Sequence, residues 1–354
     1  MPLYARIADL EIRVDSYELE ALQMQTPAGW VRKSTVVRLR GAGFEGLGED
    51  VTYQPEDQER FQEFGAGLPL AQHGSLEGFS GSLDRWDLFF GQAPADPAAR
   101  LYRRWAFESA ALDLALQQNG LSLARALDLP LGELRFVASL GLGPDGDLEP
   151  IRSRLEIDPE MEFKVDFAAD WTEETIQSLA STGAVRTVDL KGQYRGAFQG
   201  PPADPRLYRL VAENLPECWL EDPAWDEASA RALEPFVDRV TWDAVLHSLA
   251  DIDQRPNRQR CVNIKPSRFG YLSELFRIYD YCRQAGIEMY SGGQFELGPG
   301  RDQIQYLAAM FHPGTANDAA PRTYNQTPLP TGLPRSPIEV EPASTGFRLA
   351  AERT

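Results

Sequence analysis

Five ionisable residues, each at the end of a short apolar run, carry the chemistry that this sequence suggests. They are Lys164 in EFKVDF, Asp189 in TVDLKG, Glu221 in CWLEDPAW, Asp243 in VTWDAVL and Lys265 in VNIKPSRFG. Neighbouring members lie 22 to 32 positions apart, which suits one strand, one helix and two loops. Three carboxylates can hold a hard divalent cation, and two ammonium groups beside them can move protons.

This combination is typical of a site that removes a proton α to a carboxylate. A lysine cannot manage that step unaided, because the product is a dianionic enolate. A divalent cation on the carboxylate oxygens stabilises the developing charge. Three acidic ligands without a histidine favour Mg²⁺, with Mn²⁺ as the alternative, over Zn²⁺. The base needs a pKa lowered by burial or by a neighbouring cation, and two facing lysines meet that description.

The elements that position these residues alternate between strand and helix from Phe136 onward. Seven or eight such units favour a closed barrel of parallel strands, in which the strands' C-terminal ends converge on one mouth. The first 130 residues instead predict an antiparallel sheet followed by helices. The stretch 21–33 is polar and marked by Gly and Pro, and we expect a loop there. We therefore expect domains at 1–130 and 131–325, with a C-terminal segment, 326–354, that packs back on the first.

Composition excludes several classes of protein. The chain has 354 residues, is 43% hydrophobic and carries a net charge of −18, which argues against nucleic-acid binding and against anionic membrane surfaces. No apolar run approaches the ~20 residues of a membrane span. The first residues lack a signal-peptide pattern, and Cys218, Cys261 and Cys282 read as reduced, buried thiols. These features predict a cytoplasmic protein.

Six fragments, in order, resemble motifs of one known family. They are GFEGLGE at 43–49, AFESAALDLALQQNGLSLARAL at 106–127, WLEDPA at 219–224, DAVLHSLADI at 243–252, VNIKPSRFGYL at 262–272 and SGGQFELGPGR at 291–301. The chain is identified by them as a member of the enolase superfamily, in its muconate-lactonising branch. The resemblance implies an α/β fold, a (β/α)7β TIM-like barrel with an N-terminal α+β capping domain that the C-terminal tail completes.

The resemblance also implies residue roles. Asp189, Glu221 and Asp243 would hold Mg²⁺, and Lys164 and Lys265 would be the acid and base. The 21–33 loop with Trp30 would cover a small carboxylate substrate, and Gln294 and Glu296 would lie at the opposite rim. Trp30 is equally well explained by packing, and Glu296 by a structural ion pair. Barrels of this kind often associate, which leaves a homo-oligomer open.

The second barrel strand departs from the family pattern, which usually carries Lys-x-Lys with the second lysine catalytic. Lys164 can match that second lysine, with Glu162 in place of the first. It can also match the first, which leaves Asp166 in the catalytic position. Both registers keep the two-residue alternation of a strand, so spacing does not decide between them. We favour Lys164 as the catalytic residue.

The third barrel strand departs as well, because Lys191 stands where the family usually has Asn. Lys191 shares the face of Asp189, so it points into the mouth. There it would bind a substrate carboxylate or weaken cation binding, and a solvated or ion-paired lysine is the plain alternative. After Asp243 the family's Glu is Ala244.

Three functions therefore compete. The first is a Mg²⁺-dependent lyase or isomerase that enolises a carboxylate by cycloisomerisation, syn-elimination or racemisation and epimerisation. The second is a barrel that keeps the metal and binds a carboxylate but has lost or altered catalysis, which Asp166 and Lys191 motivate. The third is an acid-sugar dehydratase, although such sites often use a His base and His73, His247 and His312 lie in unremarkable contexts.

Overall fold

The computed structural model describes residues 1–26, 29–195, 199–256, 259–326 and 328–350. Its N-terminal part contains two antiparallel sheets, in the orders β2-β3-β4 and β1-β5, and four helices. The strands are β1 Glu11–Val14, β2 Ser16–Gln25, β3 Val31–Gly41, β4 Phe44–Asp50 and β5 Gln72–Ser75, and the helices are α1 Pro55–Phe64, α2 Leu76–Leu83, α3 Ala99–Gln118 and α4 Leu123–Leu127. The predicted α+β unit is thus confirmed.

Helix α3 crosses directly over β4, and the glycines of the GFEGLGE motif permit this contact. A Cβ atom on Gly46 would lie 2.1 Å from the Ala110 carbonyl oxygen, and one on Gly48 would lie 2.0 Å from that of Ala106. No larger residue fits under the helix at either position. The motif therefore fixes how α3 packs on the β2-β3-β4 sheet.

The following part alternates strands and helices. The strands are β6 Ala138–Gly141, β7 Phe163–Asp166, β8 Val185–Asp189, β9 Trp219–Glu221, β10 Val240–Thr241, β11 Cys261–Ile264 and β12 Glu288–Ser291. The helices are α5 Glu149–Ile157, α6 Glu173–Thr182, α7 Pro205–Asn214, α8 Glu227–Leu233, α9 Leu249–Asp253, α10 Pro266–Phe269, α11 Leu272–Ala285 and α12 Pro299–Phe311. Short 3₁₀ turns lie at Tyr4–Arg6, Pro144–Gly146, Glu234–Arg239 and Arg322–Asn325.

The strands close into a ring. Strands β6 to β10 form one parallel sheet in chain order, and β11 pairs in parallel with β12. The Asn263 N–H donates to the Trp242 carbonyl at 3.1 Å and joins the two sheets. Parallel bridges from Asp318 to Gly292 and from Asn317 to Phe136 close the other side. Residues 317–318 thus act as an eighth strand, and the predicted parallel α/β barrel is confirmed.

The prediction of a loop at 21–33 is wrong for the residues that the structure describes. Strands β2 and β3 pair over ten positions, from Ser16–Arg40 to Gln25–Val31, and form a long hairpin. Residues 27–28, near its tip, lie outside the described residues. The outer half of β2 is largely exposed, so it needs no apolar face. Its polar sequence therefore does not show the alternation that predicts a strand. The hairpin places Trp30 at its tip.

The C-terminal segment contacts helices of the N-terminal part and helix α12 of the barrel. Gly346 forms a parallel bridge to Ser122, and the Phe347 ring packs edge-on against Tyr306 with centroids 5.5 Å apart. Arg348 pairs with the buried Asp113 of α3 at 2.8 Å. Within the described part of the chain, no helix is both long and apolar enough to cross a membrane.

Candidate active site

Adjacent strand ends bring the acidic residues to one level of the barrel. In the ladder, Asp166 of β7 pairs with Asp189 of β8, which pairs with Glu221 of β9, and Glu221 pairs with Thr241 of β10. Asp243 follows two positions after Thr241, on the same face. The order of strands in the sheet therefore makes neighbours of residues that lie 22 to 32 positions apart in the chain.

Asp189, Glu221 and Asp243 form a compact buried triad. One carboxylate oxygen from each lies within 4.8 Å of the others, and all three side chains are almost fully buried. Burial raises the pKa of Glu221 to about 8. Burial acts in the same direction on Asp189, but Lys191 and Lys164 outweigh it and lower the pKa of Asp189 to about 2. Such a cluster of acids is unfavourable without cations close by.

The triad fits a hard divalent cation. Its donors are carboxylate oxygens, which Mg²⁺ and Mn²⁺ prefer. The Oδ1 atom of Asp243 is buried and accepts no hydrogen bond from the described residues. A buried carboxylate oxygen without a donor calls for a ligand that the protein itself does not supply. Asp189, Glu221 and Asp243 are thus the residues that would hold the ion.

The ammonium group of Lys164 lies beneath the triad. It donates a short hydrogen bond to Glu221 and lies 3.5 Å from Asp189 and 3.6 Å from Asp318. Burial acts to lower its pKa, but these carboxylates prevail and hold the pKa well above the usual value. The other candidate of this strand, Asp166, lies at the rim with its side chain 41% exposed.

Lys265 approaches the triad from the far side of the ring, directly after β11. Its Nζ atom lies 2.9 Å from Oδ2 of Asp243. The buried Arg268 lies 3.4 Å from the same oxygen and donates to the Asp243 backbone carbonyl at 2.7 Å. Lys164 and Lys265 therefore contact different carboxylates of the triad, from β7 and β11.

Lys191 joins the same centre. Its ammonium group lies 2.6 Å from Oδ2 of Asp189 and 3.0 Å from Oδ1 of Asp166. The chain contains four lysines against 31 arginines, and three of the four meet here. Lysine differs from arginine in that its amine can lose a proton in proteins. The scarcity of lysine in the composition is thus a sequence signal that marks the three lysines of this centre.

Several supporting residues did not stand out in the sequence. The buried Asp222 accepts hydrogen bonds from the backbone N–H groups of Asp243, at 2.9 Å, and Ala244, at 2.7 Å. Tyr290 and Asn263 both donate to Oε2 of Glu221. Asn263 lies two positions before Lys265, so strand alternation alone places both on one face. Tyr290 lies opposite Asn263 in the β11–β12 ladder, and only the register between these strands marks it.

The hairpin and the loop after β12 form the rim. The Trp30 ring lies 5.9 Å from that of Phe295, and the Trp30 side chain stays partly exposed. Gln294 is buried, and its Oε1 atom accepts a hydrogen bond from the Tyr53 hydroxyl at 3.2 Å. Glu296 pairs with Arg301 at 3.1 Å and accepts the Gln294 N–H, so its contacts are structural.

A buried arginine clamps the hairpin to this loop. Arg32 of β3 is fully buried and donates to four carbonyl oxygens, those of Val51, Thr52, Gln294 and Phe295, at 2.7 to 3.1 Å. Two of these lie after β4 and two in the rim loop. Arg32 therefore couples the position of the hairpin to the barrel mouth.

Arg32→Ala is expected to lower the free energy of unfolding by about 3 kcal/mol, because four carbonyl groups, three of them buried, lose their donor. Urea unfolding followed by circular dichroism measures this. Arg40→Ala on the same strand is the control, since Arg40 is half exposed and pairs with Glu18 at 3.1 Å. It should cost under about 1 kcal/mol. Equal losses in the two variants would contradict the clamp.

Comparison with known proteins agrees with this architecture. The chain matches the family described as "Domain of unknown function (DUF8230)", with its N-terminal domain at residues 5–126 and its C-terminal domain at 131–326. An o-succinylbenzoate synthase of Geobacillus stearothermophilus is 28% identical over 202 residues, 55% of this chain and 52% of that protein. The chain thus spans about half the length of this relative.

Other similar proteins cover more of the chain. An N-succinylamino acid racemase of Thermus thermophilus is 26% identical over 341 residues, 87% of each chain. Among solved structures, a dipeptide epimerase from Methylococcus capsulatus complexed with Mg ion has a TM-score of 0.65 at 20% identity, covering 96% of this chain and 99% of that one. Muconate lactonizing enzyme from Pseudomonas putida has a TM-score of 0.67 at 16% identity, covering 96% and 97%. The chain therefore belongs to the DUF8230 family, and its fold is that of the enolase superfamily.

Proposed function

We propose that this protein is a Mg²⁺-dependent enzyme that removes the proton α to the carboxylate of a small substrate, as an isomerase or lyase. One observation carries the proposal. Three buried carboxylates lie within 4.8 Å of one another, and lysines from β7 and β11 contact them from different strands. Relatives named o-succinylbenzoate synthase and N-succinylamino acid racemase support the same class of reaction.

The residues divide the work as follows. Asp189, Glu221 and Asp243 would hold the cation, which when bound supplies positive charge to the substrate carboxylate as the proton leaves. Lys265 is positioned to take or return a proton at the α-carbon. Its neighbour Arg268 contacts the same Asp243 carboxylate and donates to the Asp243 backbone carbonyl, which holds this side of the site in place.

The opposite face is assigned to Lys164, with Lys191 as a contact for a substrate carboxylate. Cycloisomerisation or syn-elimination needs one base and a cation opposite, whereas racemisation needs both lysines as working bases. Lys164 in its present contacts serves the first role, because three carboxylates keep it charged.

The rim is proposed to cover the substrate. Trp30 and Phe295 would form an apolar wall, and the buried Nε2 of Gln294, which has no hydrogen-bond acceptor among the described residues, would donate to the substrate. Glu296 is proposed to hold the loop in place. We also propose that 1–130, 131–325 and 326–354 are the units of the chain.

A barrel that binds the cation and a carboxylate without turnover is the second candidate. Its support is Asp166 at the strand end and the immobilised Lys164. Acid-sugar dehydration has less support. His247 bonds the Arg268 carbonyl and His312 bonds Asn317, so neither contacts the triad in the described part of the chain.

Solvent-deuterium exchange tests the proposal. The protein is incubated in D₂O with Mg²⁺ and a library of N-acylamino acids, dipeptides, acid sugars and succinylbenzoate precursors, and mass spectrometry reports deuterium at the α-carbon. We expect exchange with at least one class, and its loss when EDTA removes the cation. Cation binding without any exchange across the library would instead establish the binding-only barrel.

A further inference from the structure

The backbone at Lys191 is held in a conformation that non-glycine residues seldom adopt. Its φ angle is +55°, in the left-handed region. Its own N–H donates to Oδ1 of Asp189 at 3.0 Å. The chain at Gly200 passes so close that a Cβ there would lie 1.9 Å from the Lys191 carbonyl oxygen. Packing therefore imposes this conformation, which turns the side chain back to the mouth.

The Lys191 ammonium group bridges two carboxylates that differ in burial and in membership of the triad. Asp189, at 2.6 Å, is fully buried and belongs to the triad. Asp166, at 3.0 Å, is 41% exposed and lies outside the triad, at the same level of the neighbouring strand. The Lys191 side chain itself is only 14% exposed. Solvent alone therefore cannot replace a lost partner for this charge.

A cation at the triad must compete with Lys191 for Asp189. The oxygen that Lys191 contacts, Oδ2, also lies 3.5 Å from the ammonium group of Lys164. A divalent ion on that carboxylate would repel both ammonium groups. Lys164 retains Asp318 at 3.6 Å, and Lys191 retains Asp166.

We propose that Asp166 is a positioning residue that receives the Lys191 ammonium group when a divalent cation takes Asp189. This role rests on the cation site of the proposed function. It does not depend on whether Lys164 is catalytic. Lys191 then stays charged and remains at the mouth, attached to β7 instead of the triad. The pair thus exchanges one carboxylate partner for another without leaving a buried charge alone.

A double-mutant cycle on cation affinity tests this. Mg²⁺ and Mn²⁺ are titrated by calorimetry into the wild-type protein, D166N, K191M and the double variant, with circular dichroism to confirm folding. K191M should bind the cation about tenfold more tightly, because a competing ammonium group is gone. D166N should bind the cation more weakly than wild type. The factor by which D166N raises the dissociation constant should be at least about fivefold larger with Lys191 present than in the K191M background.

The comparison between backgrounds separates the proposal from plain electrostatics. Loss of a negative charge near the site weakens cation binding by itself, but by the same factor in both backgrounds. The proposal is overturned if D166N weakens cation binding by the same factor in both backgrounds, or if K191M binds the cation with unchanged affinity. It is also overturned if neither the wild type nor K191M binds the cation. K191Q replaces K191M if that variant does not fold. E174Q, at an exposed helix position, is the charge-matched control and should change affinity less than about twofold. Failure of the proposed function shows separately, as absent α-proton exchange with the cation bound.

Discussion

Lys265→Ala is expected to reduce α-proton exchange at least about 10³-fold while the protein remains folded and still binds the cation. The Lys265 amine lies 2.9 Å from Asp243, at the mouth, and no other lysine lies on that side of the triad in the described part of the chain. Arg268, its neighbour, stays protonated and cannot take the proton. The variant therefore loses the proposed base without a substitute on that side.

Mass spectrometry of substrate incubated in D₂O measures this loss. Lys33→Ala is the matched control, because Lys33 is the chain's one lysine outside the centre and its side chain pairs with Glu59 of helix α1. It should exchange at the wild-type rate. Exchange that persists in Lys265→Ala would show that Lys265 is not the base and would assign proton transfer to Lys164 or Lys191.

Glu221→Gln is expected to weaken Mg²⁺ binding by more than about 100-fold. This is a larger loss than that caused by replacing a residue that contacts only a ligand of the ion. The substitution keeps the size of the side chain and removes the charge at the centre of the triad. It also leaves Lys164 without its nearest carboxylate, so a buried ammonium group adds to the repulsion of the ion. Calorimetric titration measures the affinity, and the rise in melting temperature with added Mg²⁺ gives a second readout.

Glu162→Gln is the matched control for that result. Glu162 stands two positions before Lys164, directly before β7, but it pairs with Arg135 and Arg186 at 2.6 to 2.7 Å instead of facing the triad. Its loss should lower stability and leave cation affinity unchanged within about twofold. Equal effects of the two variants would show that the triad does not hold the ion.

The barrel could be predicted from the sequence because parallel strands are buried on both faces. Each then reads as a short apolar run between helices with caps, and the residue after each run lies at the mouth. The hairpin at 16–41 could not be predicted in the same way. Part of it extends beyond the core, so polar residues occupy both faces and the two-residue signal is weak.

The sequence by itself determined which residue types lie at the strand ends, and so the acidic triad and the lysine after β11. It left open which residue of the segment 162–166 faces the triad, because alternation places Glu162, Lys164 and Asp166 on one face of a predicted strand and treats them alike. The tertiary structure decided this through the ladder between β7 and β8. That register places Glu162 among arginines, Lys164 beneath the carboxylates and Asp166 beside Lys191. The physical reason is that height along a barrel strand is set by its pairing with neighbouring strands, which a single strand's sequence does not contain.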